Sequence, residues 1–364
     1  MIYQERQAAA LTAAQKHLTP TAAVLVTHLP DLRYLTGFKG SNGALALTPR
    51  AAILFTDGRY TTQARAEAVG TRVIIAQKPV LEEACIWLES KGITECGVDQ
   101  THTTIRELER MKAAIKNGRL RRKFFSYLPE TAALLREIKD RGELRTQRRA
   151  ALLGCQIFQS MLNVISPGMS EIEVAAELEY RARSLGAEGM SFDTIIASGP
   201  RSALPHGRAS HAKLPRKGFL TMDFGVILDG YCSDMTRTIH LGRATNEERN
   251  AYDAVLAAQQ AAIDAVSKGV TCGYVDKAAR DVLQHAKLAK WFTHSTGHGV
   301  GLEIHEGPRI AKGNAQQLET GMVITIEPGV YLPSKFGIRI EDMVEVTGSG
   351  CRVMTPAPKG WIEL

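Results

Sequence analysis

The first 127 residues alternate short apolar runs with amphipathic stretches. A-A-V-L-V-T, A-L-A-L-T, A-A-I-L-F-T-D, R-V-I-I-A and C-G-V-D have strand length and β-branched or apolar content. Helical patterns over 60–69 and 80–91 lie between them, and M-I-Y-Q-E-R-Q-A-A-A-L-T-A-A-Q-K opens the chain as an amphipathic helix. This alternation predicts an α/β domain built on a central sheet. T-D-G-R-Y closes one strand and opens a helix, a natural place for exposed polar groups. After Pro129 the pattern is helical and charged from Glu130 to Met161, with Gly142 as its weak point. Ser170 and Glu173 have capping-box spacing, so a helix is expected over 171–185. Two more are expected over 246–268 and 275–288, and the rest of the second half reads as strand and glycine-rich loop. No solenoid period or low-complexity tract interrupts the pattern. The expected domains are 1–128 and 129–364, with a linker helix near 130–145.

Composition changes this picture little. A chain of 364 residues has room for two cores, and 44% hydrophobic with 23% charged residues is ordinary for a globular protein. There is no signal-peptide core and no apolar stretch approaching ~20 residues, so a cytoplasmic location and no membrane partner are expected. Six scattered cysteines without a C-x-x-C pair predict buried, reduced thiols. Cys232, two residues from Asp234, is read as a small apolar group. The net charge of +7 and the basic run over 116–123 raise a nucleic-acid reading. No reader motif surrounds that run, and F-F-S-Y-L-P after it reads as an edge strand, so a solvated face or subunit contact is expected instead.

Candidate chemistry is concentrated in the last third. Asp229-Gly230 is a two-residue hairpin signal. Pairing Leu228 with Tyr231 puts Gly225 opposite Asp234 and Asp223 on the same face, so the two aspartates become diagonal neighbours about 7–8 Å apart at the backbone. From there both can reach metals about 3.5–4 Å apart. H-S-T-G-H-G-V-G-L-E-I-H holds His294, His298 and His305 among glycines that let the backbone approach a ligand closely. Glu327 interrupts an apolar strand in V-I-T-I-E-P-G, which calls for a partner or a metal. In G-I-R-I-E-D-M, alternation sets Arg339 and Glu341 on one face and Asp342 on the other. His206 sits in the rigid L-P-H-G turn. Asp223, Asp234, Glu327 and Glu341 together carry about −4 when ionised, which two divalent cations would balance.

The order M-D-F-G, G-Y-C-S-D-M-T-R-T, G-H-G-V-G, I-E-P-G and R-I-E-D resembles the creatinase/prolidase/aminopeptidase P family of pita-bread metallopeptidases. A-L-P-H-G, Y-L-T-G-F-K-G-S-N-G and F-T-D-G-R-Y-T-T-Q-A extend the likeness over nearly the whole chain. The resemblance implies an α+β pita-bread catalytic domain preceded by an α/β creatinase-like domain. It implies two divalent ions, usually Mn²⁺ or Co²⁺ and sometimes Zn²⁺. Asp234 and Glu341 would bridge them, with Asp223 completing one and His298 and Glu327 the other. Water activated there would attack the scissile carbonyl while Glu327 shuttles its proton. His206 and His305 would steady the substrate and its developing oxyanion, and His294 and Arg339 would line the pocket. The implied substrate is a peptide with proline second, whose Xaa-Pro bond lacks the N–H that extended-strand recognition uses. The leading expectation is an Xaa-Pro aminopeptidase, with the dipeptide-restricted prolidase as the alternative. Methionine aminopeptidase in its common form lacks the extra domain, and creatinase lacks the full ligand set. A non-catalytic binding module of this fold is the reading from a different class, although such relatives have lost ligands that are all present here. Relatives are commonly homodimers, which makes 34–43 and 57–60 candidate subunit contacts. One departure stands out: Met343 follows Glu341-Asp342 where many relatives have a second aspartate.

Overall fold

A computed structural model describes residues 2–129 and 131–364; Glu130, the expected start of the linker helix, lies outside them. The chain divides into two compact units, Met1–Arg136 and Glu137–Leu364. The expected break followed residue 128.

The first unit is built on a six-stranded mixed sheet. Its order is Arg72–Ile75, Ala52–Thr56, Ala44–Leu47, Ala23–Val26, Cys96–Asp99 and Phe125–Leu128. Ala23–Val26 runs antiparallel to Ala44–Leu47 but parallel to Cys96–Asp99. The all-apolar run of Ala23–Val26 reflects burial on both faces. Val80–Ser90 and Ile105–Ala114 cover one face, packing Cys85, Leu88 and Met111 against Leu25, Phe55 and Val98. Asp57 behaves as its phrase predicts, its carboxylate accepting from the Arg59 amide at the start of a short 3₁₀ turn. F-S-Y-L forms the expected edge strand.

In the second unit, two helix pairs each cover a set of strands. Arg141–Met161 and Glu171–Ser184 bury Phe158, Met161 and Leu178 against Met222, Phe224 and Ile239. Asn246–Asp264 and Cys272–His285 bury Val255, Val275 and Leu283 against Ile324, Ile326, Ile338 and Val344. Strand Gly218–Phe224 pairs with Met235–Leu241 and with Ile195–Ser198. The other half contains a five-stranded sheet and the hairpin of Gly329–Leu332 with Phe336–Arg339.

The helix starts follow their caps. Ser170–Glu173, Thr245–Glu248 and Asp140–Glu143 all form complete capping boxes. The last corrects the expected weak point. Gly142 lies in the first turn of Arg141–Met161, where its N–H donates to Asp140 Oδ1. The break comes before it, between Thr131–Arg136 and Arg141–Met161. A D-x-x-E box at the N-cap satisfies the exposed amides there, so glycine costs little.

Candidate active site

The hairpin register is the one the Asp229-Gly230 turn predicts: Leu228 faces Tyr231, and Phe224 and Asp223 face Met235 and Thr236. Gly225 is obligatory beside it, because a Cβ there would lie 1.7 Å from the Ser233 carbonyl oxygen. Asp223 and Asp234 thus line a cavity of about 710 Å³. The other residues expected to bind metal or substrate line it too: His206, His294, His298, His305, Glu327, Arg339 and Glu341.

The donors cluster tightly. One donor atom from each of Asp234, His298 and Glu341 lies within 4.8 Å of the others. Glu327 Oε1 and Asp234 Oδ2 each approach His298 Nε2 to 3.6 Å. His298 places Nδ1 3.0 Å from the Gly299 carbonyl, so Nδ1 carries the hydrogen and Nε2 turns its lone pair to the carboxylates. Burial holds its pKa down at about 4, which keeps the imidazole neutral. Asp223 is set slightly apart, where its Oδ2 accepts from Arg339 Nη2.

Burial raises all the central carboxyls. Asp234 and Glu327 are pushed well above the ordinary range by burial and then by the charge of Glu341. Burial and then Asp223 raise Glu341 to about 8. Asp234 Oδ1 is buried without a hydrogen-bond partner among the described residues. Three crowded carboxyls, an orphaned oxygen and a neutral imidazole nitrogen aimed at two of them lack only positive charge. The donor set therefore fits divalent cations.

Fixed hydroxyls orient the donors. Thr236 Oγ1 donates to Glu341 Oε2 at 2.7 Å while accepting from Arg339 Nε at 3.1 Å. Thr325 Oγ1 donates to Glu327 Oε1 at 3.4 Å and accepts the His298 amide at 3.1 Å. Arg237 is fully buried and its guanidinium donates to the carbonyls of Glu341, Thr355, Ala357 and Pro358 and to Asp342 Oδ1. It thereby fixes the segment bearing Glu341 onto the strand that follows Asp234. Met343 takes the Asp234 amide on its sulfur at 3.1 Å, a neutral acceptor.

The opposite group of lining residues is also ordered. Arg339 Nη1 donates to the Pro205 carbonyl at 3.1 Å, beside His206, and to Tyr331 Oη at 2.6 Å. Tyr331 in turn lies 3.0 Å from His294 Nε2, while His294 Nδ1 meets the Ser295 carbonyl at 2.8 Å. Burial and then Arg339 hold His294 down at about 4, so Nε2 accepts the tyrosine proton. Burial raises Tyr331 to about 12, which keeps it a donor. His305 packs edge-on to His298 with centroids 4.4 Å apart, and burial and the charge of His206 lower its pKa. His206 stands exposed at the cavity wall.

Tyr331, Thr236, Thr325 and Arg309 escape the sequence reading. Thr325 was within reach of alternation, being two residues before Glu327, which lies just past the end of strand Val323–Ile326 rather than inside it. Cys232 is buried and raised to about 12 by desolvation, and all six cysteines are free.

This fold and donor set define a metallopeptidase. The chain belongs to metallopeptidase family M24, whose model matches residues 145–348, with a creatinase/prolidase N-terminal domain over 8–134. An Xaa-Pro dipeptidase of Pyrococcus horikoshii is 34% identical over 92% of this chain and 92% of its own length. The solved structure of an Xaa-Pro dipeptidase from Bacillus anthracis is 37% identical, covers 100% of both chains and has a TM-score of 0.94. That of an X-Pro aminopeptidase from Thermotoga maritima is 33% identical over 96% of this chain and 99% of its own, with a TM-score of 0.88.

Proposed function

We propose that this protein is an Xaa-Pro dipeptidase, a prolidase, rather than the aminopeptidase that the sequence favoured. The observation that carries the choice is Arg309. Among the guanidinium groups lining the cavity, Arg339 is held by Asp223 and Arg208 by Asp193 at 2.9 Å. Arg309 lines the same cavity and is exposed; its carbonyl accepts from Asn314 Nδ2 at 2.7 Å, but its guanidinium has no hydrogen-bond or ion-pair partner among the described residues. A dipeptide carries its carboxylate on the proline itself, and an unpaired guanidinium is the group that would receive it. The dipeptidases of Pyrococcus horikoshii and Bacillus anthracis support the same reading.

Asp223, Asp234, His298, Glu327 and Glu341 would hold the metals, and the oxygen-rich set with one imidazole supports Mn²⁺, with Co²⁺ or Zn²⁺ as substitutes. Bound ions would polarise the scissile carbonyl and acidify water. Glu327, raised by its burial, takes the proton of the attacking water and passes it to the proline nitrogen as that amine leaves. That nitrogen has no hydrogen of its own in the peptide, so it must gain one to depart. His206 and His305 donate to the carbonyl oxygen as charge develops on it. Arg339 keeps the His206 turn in place through Pro205. A homodimer belongs to this reading through the resemblance of the first domain, and mass in solution checks it.

The test offers Xaa-Pro and Xaa-Pro-Yaa-Zaa side by side to the Mn²⁺-loaded enzyme. Cleavage confined to the dipeptide is expected. Efficient release of Xaa from the longer peptide would name an aminopeptidase, the second reading, which the Thermotoga maritima structure favours. Arg309→Ala should raise KM for the dipeptide roughly tenfold or more, the value of a charge-assisted hydrogen bond.

A further inference from the structure

A second cluster of side chains able to hold a metal lies in the first unit, whereas the cavity is lined by residues of the second. Strands Ala23–Val26 and Cys96–Asp99 are parallel neighbours. From Ala23–Val26 the chain passes through helix Leu29–Thr36 to the neighbour on one side, Ala44–Leu47. From Cys96–Asp99 it passes through Ile105–Ala114 to the neighbour on the other, Phe125–Leu128. Such a divergence opens a crevice at the carboxyl ends of the strands, where open α/β sheets take their ligands. His28 and His102 stand there, only a few residues beyond those ends.

Their rings stack 3.7 Å apart with planes 12° from parallel. One donor atom from each of His28, Asp31 and His102 lies within 4.8 Å of the others. Asp99 Oδ2 is 2.7 Å from His102 Nδ1, the carboxylate–imidazole contact that orients a ligating histidine and frees Nε2. Asp31 gives Oδ1 to Arg136 Nη1 at 2.6 Å and turns Oδ2 to His28 Nδ1 at 3.2 Å. The imidazole side chains are 15% and 26% exposed, so a solvated ion can reach them. Two carboxylates exclude an anionic ligand.

We propose that His28, His102 and Asp31 form a site for a borderline divalent cation such as Zn²⁺, separate from the catalytic cavity. Tetrahedral donors at about 2.0–2.2 Å from an ion stand about 3.4 Å apart, so side-chain rotations that open the ring stack complete the site.

The test is equilibrium dialysis of the metal-stripped full chain against Zn²⁺ alone, followed by metal counting. His102→Phe keeps a flat ring on His28 but removes the donor, and His28→Gln is the second variant. Each is expected to bind one Zn²⁺ fewer per chain than the wild type and, reloaded with Mn²⁺, to hydrolyse substrate at the wild-type rate. Equal metal content in the wild type and both variants overturns the site. So does a lost ion accompanied by a matching loss of rate, which assigns that ion to the catalytic cavity.

Discussion

His298 turns an unprotonated nitrogen towards Asp234 and Glu327 at 3.6 Å, a contact that repels unless a cation, or a proton on the carboxyls, lies between them. The same crowding predicts how Glu327→Gln behaves. The amide keeps the shape and can still accept from Thr325, while removing one charge from a group of mutually repelling carboxyls. The metal-free variant should melt no lower than the wild type. Its kcat should fall about 10²–10⁴-fold, the range of a lost acid–base group, with KM little changed. A near-normal kcat would remove Glu327 as the proton carrier. At this scale the sequence was informative wherever chemistry was local. Charged residues in apolar strands and histidines among glycines announced themselves. Tyr331 did not, because its partners His294 and Arg339 become neighbours only once Gly329–Leu332 pairs with Phe336–Arg339. Likewise His28 and His102 meet through strand order that no local pattern encodes.

Strand and turn geometry positions these residues to within what the chemistry needs. The Asp229-Gly230 turn fixes hairpin parity, so the aspartates share a face by arithmetic rather than by later adjustment. The strand Gly297–Gly299, which carries His298, depends on its glycines in another way. A Cβ on Gly297 would lie 1.9 Å from the Thr325 carbonyl oxygen, a contact with backbone that no rotamer relieves. Gly297→Ala must therefore push the strand bearing His298 away from Val323–Ile326, which leads into Glu327. We expect a loss of about 1–3 kcal/mol or more of stability from the overpacking, and weaker metal retention than the wild type on dialysis. Wild-type melting temperature and metal content would contradict this reading. The Ser170–Glu173 box made one helix start readable, whereas the helix expected from Val275 begins at Cys272, after the Thr271 cap. The misplaced break at Gly142 came from weighing glycine's propensity above the D-x-x-E signal that begins two residues earlier.

Across the whole molecule the cluster ties stability to pH and metal together. Glu341 rises from an ordinary 4.5 to about 8, and Asp234 and Glu327 are also raised, with burial the leading cause in each. A carboxyl raised in the folded state binds more protons there than in the unfolded chain between those two values. The unfolded state is then the one favoured by rising pH, and stability falls with each unit. In the metal-free protein this loss begins near pH 4.5 and is complete only above about pH 8. Asp342 acts in the opposite sense and lower down. Burial would raise it, but Arg237 and Lys359 outweigh burial, so its contribution is present at neutral pH and lost only in acid. His294, His298 and His305, held below their usual value by burial, also oppose the cluster up to about pH 6.5, where the unfolded chain still binds the protons they have lost. The cluster therefore dominates only from about pH 6.5 to 8, and there the metal-free melting temperature should decline. Bound cations replace the protons, so Mn²⁺ should stabilise more strongly as pH rises, and loading at pH 7 should release protons into a weakly buffered solution. Parallel melting curves with and without Mn²⁺ across this range, or loading without proton release, would show that the ions bind somewhere other than these carboxyls.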